Sequence, residues 1–123
     1  MPKRIQRKRT KGWRLPDGAI CTTRPGRFGN PYTAKEFGLS LSLQLFRNSI
    51  HGNWNPAIIL DSGKVSTAYT LHCEFVGRFT SSTPLESAQP VLRGKDLACF
   101  CALPESGQPD LCHAAIWIEE VNQ

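Results

Sequence analysis

The sequence predicts an α/β fold, a small two-layer or three-layer domain with a short, mostly parallel sheet and flanking helices. Short apolar segments alternate with segments that carry helix signatures, and this alternation is typical of α/β proteins. The chain has 123 residues, enough to bury one core. Its apolar runs are far too short to cross a bilayer, so we expect a cytoplasmic protein with reduced thiols and no membrane partner.

The N-terminal segment is strongly basic, whereas the rest of the chain is not. Seven of the fifteen basic residues precede the first acid, Asp17, and the remainder holds eight basic and ten acidic residues. We therefore predict a basic arm over residues 1–14 and a single α/β domain over residues 15–123. The arm is expected to contact phosphates of a nucleotide or a nucleic acid. The alternative is a solvated tail. The candidate contacts are Lys3, Arg4, Arg7, Lys8, Arg9 and Lys11.

A short strand is predicted at Ala19–Thr23, and a loop rich in glycine and proline follows it over residues 24–32. Loops held by a scaffold are common positions for binding residues. We predict that Arg24 and Arg27 bind a phosphate or a carboxylate through paired N–H donors, with Asn30 as a further ligand contact. The alternative is that both arginines face water.

The middle of the chain is predicted to be helical. A helix is predicted at about Ser40–Ile50, where the apolar spacing mixes alternation with a helical stripe and His51-Gly52-Asn53 supplies the C-terminal end. Apolar spacing indicates a second helix at Ser66–Phe79. A third helix is predicted to begin after Thr83 as its N-cap and to end near Pro90. His72 lies on the second of these helices. It is either a hydrogen-bonded core histidine or a member of the functional site, and the sequence leaves both open.

The residues with the most chemistry lie between Arg93 and Val121. This stretch is predicted to form a turn, a buried strand, a polar loop and a helix that begins near Cys112 and His113. Residues two apart on a strand point to one face, so Cys99 and Cys101 would be neighbours. The helix start would lie near the carboxyl end of the strand, where open α/β sheets form ligand crevices. We predict that three thiols and an imidazole meet there, beside the loop at residues 24–31.

Several short motifs are shared with a known family. They are Pro2–Arg9 at the start, Arg24-Pro25 and Gly29-Asn30-Pro31 in the loop, and Leu92–Lys95, Cys99, Cys101 and Cys112-His113 near the end. With these residues the chain resembles the small phage and bacterial domains known as domain of unknown function 4326. The middle of the chain matches little, and the loop between Cys101 and Cys112 is longer than is usual for the family. The resemblance implies a phage or bacterial protein of the cytoplasm and marks the functional face, without an activity to transfer.

A metal site is the first of three hypotheses about the chemistry. Cys99, Cys101, Cys112 and His113 form a set of soft ligands that suits tetrahedral zinc. The spacing is unusual, because the cysteines of zinc knuckles are usually separated by two to four residues and adjacent ligands rarely reach one ion. Zinc is therefore predicted from the identity of the ligands and not from their spacing.

The second hypothesis is a thiol-dependent enzyme that processes a nucleotide. A cysteine at a helix N-terminus beside a histidine has a lowered pKa, so Cys112 would attack and His113 would transfer protons. Arg24, Arg27 and Lys95 would then bind a phosphate. The third hypothesis treats the cysteines as buried apolar side chains and the protein as a non-catalytic module that binds nucleic acid or protein. Enzymatic activity, substrate and oligomeric state remain open in the sequence.

Overall fold

The computed structural model describes residues 2–24, 26–79 and 83–123. Pro25, which belongs to the loop predicted at residues 24–32, lies outside the described residues. The strands are β1 (Arg4–Gln6), β2 (Ile20–Cys21) and β3 (Leu97–Cys99). The α-helices in the described part of the chain are α1 (Ala34–Phe37), α2 (Leu39–Ile50), α3 (Val65–Gly77), α4 (Pro84–Leu92) and α5 (His113–Val121).

These elements confirm the predicted α/β class with a short parallel sheet. The chain divides into two compact units. The first, here called the sheet unit, comprises Met1–Gly29 and Ala88–Gln123. The second, here called the helical unit, comprises Asn30–Ser87. One domain over residues 15–123 stays a prediction, because compact units are not by themselves separate domains. No helix formed by the described residues is long and apolar enough to span a bilayer.

The sheet has the strand order β1-β3-β2, and both neighbours pair with β3 in parallel. Ile5 and Cys21 both lie opposite Ala98 in the central strand. Every residue of β3 is buried, as expected for the middle strand of a parallel sheet. Part of the predicted basic arm therefore contributes an edge strand to the sheet. Because the strands are parallel, their carboxyl ends lie at one edge, and the segments that follow them meet there.

Helix α5 closes the sheet unit with an apolar face. Trp117 is fully buried, and its indole Nε1–H donates to the carbonyl oxygen of Phe28 over 2.8 Å. The rings of Trp117 and Phe28 also meet edge to face, with their centroids 5.8 Å apart. Ala114 and Val121 are fully buried on the same helix. Burial of a large apolar side chain contributes about 1.5–3 kcal/mol to the free energy of unfolding. The buried face therefore holds α5, including its first residues, in place.

The helical unit confirms the predicted helices at 40–50 and 66–79 as α2 and α3, within two residues at each end. Phe46 of α2 and Phe75 of α3 are fully buried, with their ring centroids 5.5 Å apart. A series of buried hydrogen bonds lies in the same unit. The Tyr32 hydroxyl lies 2.7 Å from Ser49 Oγ, which lies 2.9 Å from His72 Nδ1. These hydrogen bonds offset the cost of burying the polar groups.

Helix α4 begins as predicted but ends later. The Thr83 hydroxyl accepts a hydrogen bond from the backbone N–H of Glu86 over 3.2 Å, which is the expected N-cap contact. The helix ends at Leu92, two residues beyond Pro90, near which its end was predicted. Proline interrupts a helix by removing one N–H donor and by crowding the preceding turn. Pro90 lies close to the helix end, where few further hydrogen bonds depend on it.

Candidate metal centre and adjoining pocket

The candidate site lies in the sheet unit, at the carboxyl edge of its three strands. Thr22 and Thr23 follow β2, and Phe100 and Cys101 follow β3. His113 begins α5, with Cys112 as the residue before the helix. These positions match the general rule that ligands bind outside the carboxyl ends of parallel strands. The fold thus brings together residues that are far apart in the sequence.

Cys99, Cys112 and His113 form a buried cluster. The Nδ1 atom of His113 lies 4.0 Å from the sulfur of Cys99 and 4.0 Å from the sulfur of Cys112. All three ligand atoms lie within 4.8 Å of one another, so the group could hold a metal ion. Cys101 is exposed, but its sulfur is 3.7 Å from that of Cys99. The fold therefore brings two of the three predicted thiols together with the imidazole, and the third thiol, Cys101, lies beside Cys99.

The spacing of these atoms is close to that of a tetrahedral site. With zinc–sulfur bonds of about 2.3 Å, two sulfur ligands of one zinc ion lie about 3.8 Å apart. The 3.7 Å between Cys99 and Cys101 agrees with this value. A sulfur and an imidazole nitrogen on the same ion would be about 3.6 Å apart. The two 4.0 Å distances to His113 need only a small contraction.

The imidazole of His113 is oriented by the backbone of β2. Its Nε2 lies 2.6 Å from the carbonyl oxygen of Thr22, which can only accept a hydrogen bond. Nε2 therefore carries the proton, and in the neutral ring Nδ1 presents its lone pair to the sulfurs of Cys99 and Cys112. Metal-binding histidines characteristically donate their second N–H to a carbonyl or carboxylate in this way. The arrangement prepares Nδ1 to act as a ligand.

Hydrogen bonding among the sulfurs shifts their acidities in opposite directions. Hydrogen bonds with Cys101 and Cys112 lower the pKa of Cys99, because they stabilise its thiolate. The pKa of Cys112 is raised by its hydrogen bonds with Cys101 and Cys99 and by burial. The hydrogen bond with Cys112 lowers the pKa of Cys101, but the bond with Cys99 and burial outweigh it and leave this pKa raised.

A pocket of about 260 Å³ opens beside the cluster. Its polar character comes from two arginines, one that follows β1 and one that follows β2. None of the described lining residues carries a carboxylate. The residues that line it are Arg9, Thr23, Arg24, Cys99, Phe100, Cys101 and His113. The pocket is therefore suited to an anion next to the thiols.

Phe100 forms the aromatic wall of this pocket and contacts two residues of the basic segment. The guanidinium of Arg9 lies over its ring at 4.1 Å from the centroid, and that of Arg7 at 4.5 Å. Arg7 also donates to the Thr23 hydroxyl over 2.9 Å. Cation–π contacts of this kind order side chains that would otherwise move freely in water. The basic segment thus reaches the edge of the site.

The remaining predicted ligand contacts lie elsewhere. The guanidinium of Arg27 lies over the Phe28 ring at 5.3 Å, and Arg27 is not among the described residues that line the pocket. Lys95 precedes β3 and so belongs to the opposite edge of the sheet. Asn30 belongs to the helical unit, where its amide donates to Ser42 Oγ over 3.0 Å and accepts from the N–H of Tyr32 over 2.9 Å.

The predicted arm residues have different fates. Arg4 is buried and binds Asp110, whereas Lys3, Lys8, Arg9 and Lys11 are exposed.

His72 lies in the helical unit, hydrogen-bonded to Ser49, which agrees with the core interpretation of this residue. Thr22 and Phe100 contribute to the site without having been predicted as part of it. Phe100 could have been found from its position between the two cysteines, but a backbone carbonyl such as that of Thr22 leaves no sequence signal.

The fold and the site together define a class of protein. It is a small α/β protein with a parallel sheet and a buried Cys/His cluster at the carboxyl edge of that sheet. The chain belongs to the family described as "Domain of unknown function (DUF4326)", which matches residues 5–123. This membership confirms the resemblance carried by the Cys99, Cys101 and Cys112-His113 motifs. Neither the curated proteins nor the solved structures contain a match to the chain.

Proposed function

We propose that the protein is a zinc-binding module that binds the phosphate group of a nucleotide or a nucleic acid in the pocket beside the metal. The proposal rests on the orientation of His113. Its Nε2–H donates to the Thr22 carbonyl, which leaves Nδ1 directed at the sulfurs of Cys99 and Cys112. A structural core histidine needs no such set of soft neighbours, whereas a metal ligand does.

Zinc fits these ligands better than the other common cations. Thiolate and imidazole are soft or borderline ligands, which favour zinc over magnesium or calcium. Three of the proposed ligands are buried, and the exposed Cys101, whose sulfur is 3.7 Å from that of Cys99, would be the fourth. The backbone places Cys99 on β3 and Cys112 just before α5, so metal binding would join the central strand to the last helix. Such a link makes metal binding contribute to folding.

The phosphate part of the proposal is supported by the charge of the pocket. Arg9 and Arg24 line it, and the described lining residues carry no opposing carboxylate. Arginine binds phosphate oxygens through pairs of parallel N–H donors. Arg4 is excluded from this role because its guanidinium is held by Asp110 and by two carbonyl oxygens.

A thiol-dependent enzyme is less well supported by the same geometry. Cys112 is only 1% exposed, and hydrogen bonds with Cys101 and Cys99 raise its pKa. A nucleophilic cysteine needs an accessible thiolate, so Cys112 is poorly suited to attack a substrate. Rapid alkylation of Cys112 by iodoacetamide near neutral pH, in protein purified with its metal, would favour the enzyme hypothesis over ours.

Elemental analysis of the purified full chain tests the metal. We expect about one zinc ion per chain, and we expect Cys99→Ser and Cys112→Ser to lose it, because each removes a buried thiolate ligand. Cys21→Ser and Cys73→Ser are matched controls, since both cysteines are exposed and lie outside the cluster. Zinc-free wild-type protein, or equal zinc loss in the control variants, would refute the proposed metal site.

Fluorescence anisotropy tests the phosphate ligand and separates its two sources. The probes are a labelled nucleoside monophosphate and a labelled single-stranded oligonucleotide, with and without a 5′-phosphate. Arg24→Gln and Arg9→Gln should weaken binding about tenfold or more, given the strength of charge-assisted hydrogen bonds. Arg93→Gln is the control, because Arg93 is exposed and precedes β3 at the opposite edge. Equal binding by all three variants would refute the assignment of the pocket.

Each probe has a distinct outcome. Preference for the mononucleotide or for the 5′-phosphate assigns the pocket to a terminal phosphate. Equal binding of both oligonucleotides, with a strong decrease as salt rises, assigns the interaction to the nucleic-acid backbone. In that case Lys8→Gln and Lys11→Gln should weaken it as well. Deletion of the arm is unsuitable for this purpose, because it would remove β1 and the buried Arg4.

A further inference from the structure

One residue of the pocket wall lies between two of the proposed metal ligands in the sequence. Phe100 separates Cys99 from Cys101 in the sequence, and the two sulfurs are 3.7 Å apart. The Phe100 side chain lines the pocket and is half-buried. Any ion that binds both sulfurs therefore closes a short chelate ring around the backbone of Phe100. The dihedral angles of this residue would be restricted as a result.

The Phe100 ring in turn contacts Arg9, one of the two arginines that line the pocket. Arg9 is exposed and lies beyond β1, yet its guanidinium is 4.1 Å from the ring centroid. Arg7 contacts the same ring at 4.5 Å and is itself held by the Thr23 hydroxyl. The ring is thus the surface against which the basic segment is arranged. If the ring moves, the position of Arg9 over the pocket changes with it.

We infer that metal binding and phosphate binding are coupled in this protein, and that Phe100 is the positioning residue that couples them. This inference rests on the proposed function, since it concerns the same metal and the same pocket. The metal fixes Cys99 and Cys101, the fixed backbone holds the ring of Phe100, and the ring holds Arg9 over the pocket. A phosphate monoester then binds to arginines that are already ordered, and binding to preorganised groups is tighter.

The coupling is reciprocal by thermodynamic necessity. If the metal raises the affinity for phosphate by a given factor, phosphate raises the affinity for the metal by the same factor. Couplings between sites in proteins are typically about 5-fold to 150-fold. We expect a value near the lower end, because one side chain transmits the effect. The protein would accordingly hold its metal most tightly when its pocket is filled.

Isothermal titration with inorganic phosphate at matched ionic strength tests the coupling in the full chain. The zinc-loaded protein should bind phosphate about fivefold more tightly than the zinc-free protein. The reciprocal measurement is the zinc affinity in a chelator-buffered solution, with and without saturating phosphate. It gives a second value if the zinc-free chain is too unstable for titration. The inference would be overturned if phosphate bound equally well to the zinc-loaded and the zinc-free protein and zinc bound equally well with and without phosphate. Weaker binding of one ligand in the presence of the other would overturn it as well.

Variants of Phe100 locate the coupling. Phe100→Leu keeps an apolar side chain but removes the aromatic ring, so we expect zinc binding to persist and the fivefold difference to disappear. Phe100→Tyr keeps the ring and should keep the difference. An unchanged difference in Phe100→Leu would overturn the role of this residue. These results are distinguishable from failure of the proposed function, in which zinc or phosphate would not bind at all.

Discussion

Arg4 and Asp110, which are 106 residues apart in the sequence, form an ion pair at the edge of the sheet unit. The Arg4 side chain is only 3% exposed and that of Asp110 is 20% exposed. The same guanidinium donates to the carbonyl oxygens of Cys101 over 2.7 Å and Ala102 over 2.5 Å. A residue of the basic segment thus holds both ends of the loop that separates Cys101 from Cys112. The position of this loop depends on the N-terminal strand.

Replacement of Arg4 by methionine should therefore destabilise the protein strongly. Loss of one partner from a buried ion pair usually lowers the free energy of unfolding by about 3–5 kcal/mol, because the other charge remains unpaired. Urea denaturation of Arg4→Met measures the loss. Lys8→Met is the control, since Lys8 is an exposed cation of the same segment and should change stability little. Equal effects in the two variants would contradict a structural role for Arg4.

The glycine of the Gly29-Asn30-Pro31 motif is explained by a close backbone contact. A Cβ atom at Gly29 would lie 3.0 Å from both the Cα and the backbone nitrogen of Arg24. The contacted atoms belong to the backbone, so they cannot yield without a shift of the loop. Gly29 therefore allows the loop to fold back on itself and to place Arg24 at the pocket.

Gly29→Ala should lower the free energy of unfolding by about 1–3 kcal/mol, as expected for overpacking, and should weaken phosphate binding. Gly77→Ala is a matched control, because a Cβ atom at Gly77 would meet nothing within 4 Å. Gly77 is the last residue of α3, so alanine there should be neutral or should stabilise the helix by up to about 1 kcal/mol. Thermal denaturation compares the two variants. A neutral Gly29→Ala variant would show that the loop has room for a side chain.

The sequence predicted those parts of the fold whose signal is local. The apolar stretch at Leu97–Cys99 and the Cys112-His113 pair before an amphipathic segment were enough to predict β3, α5 and their meeting. The pairing of Arg4 with Leu97 was not predictable, because a strand of three residues with a buried charge has no apolar alternation. The burial of Arg4 is explained by partners that are distant in the sequence, namely Asp110 and the carbonyl oxygens of Cys101 and Ala102.

The Cys/His cluster of the candidate site was predicted from the sequence, but its adjoining pocket only in part. Cysteine and histidine are recognised as candidate metal ligands from residue type alone. An arginine can line the pocket only if it follows the carboxyl end of a strand, and residue type does not show this. Arg24 follows β2 and lines the pocket, while Lys95 precedes β3 and lies at the other edge. Strand direction decides between them, and it cannot be read from composition. Arg9 reaches the pocket because β1 is part of the sheet. The basic composition of that segment indicated a separate arm and gave no sign of a strand.

The buried hydroxyl of Tyr32 provides a third prediction. It is hydrogen-bonded to Ser49 over 2.7 Å, and burial raises its pKa to about 12 from the ordinary value of 10.0. A raised pKa means that the folded state favours the neutral phenol. Its contribution to stability is therefore complete below about pH 10 and is lost as the pH rises towards about 12.

Tyr32→Phe should cost about 1 kcal/mol of unfolding free energy at about pH 8, because one buried hydrogen bond is lost. It should also reduce the loss of stability between about pH 10 and pH 12, since no phenol remains to ionise on unfolding. Guanidinium denaturation across this range measures both effects. Tyr69→Phe serves for comparison. A hydrogen bond with Cys73 also raises the pKa of Tyr69, but its side chain is 50% exposed, so we expect a smaller effect than at Tyr32. A variant that follows the wild type across the whole range would contradict the assignment to Tyr32.

His72 gives the corresponding prediction on the acid side. Its Nδ1 lies 2.9 Å from Ser49 Oγ, and the rings of Trp54 and Tyr69 flank it at centroid distances of 5.3 Å and 6.5 Å. Burial lowers the pKa of His72 below its ordinary value of 6.5, because the imidazolium would lose hydration. A lowered pKa means that stability is complete above about pH 6.5 and is lost as the pH falls through the pKa of the folded state.

Urea denaturation between about pH 8 and pH 5 should therefore show a smaller loss of stability in His72→Gln than in the wild type. Acidification also protonates the cysteine ligands and releases a bound metal, so the informative quantity is the difference between the two proteins at each pH. His51→Gln is the control, since His51 is exposed at the end of α2. The difference in unfolding free energy between wild type and His72→Gln should narrow steadily as the pH falls, and by more than the difference between wild type and His51→Gln. A constant difference for His72→Gln would mean that this imidazole does not resist protonation in the folded protein.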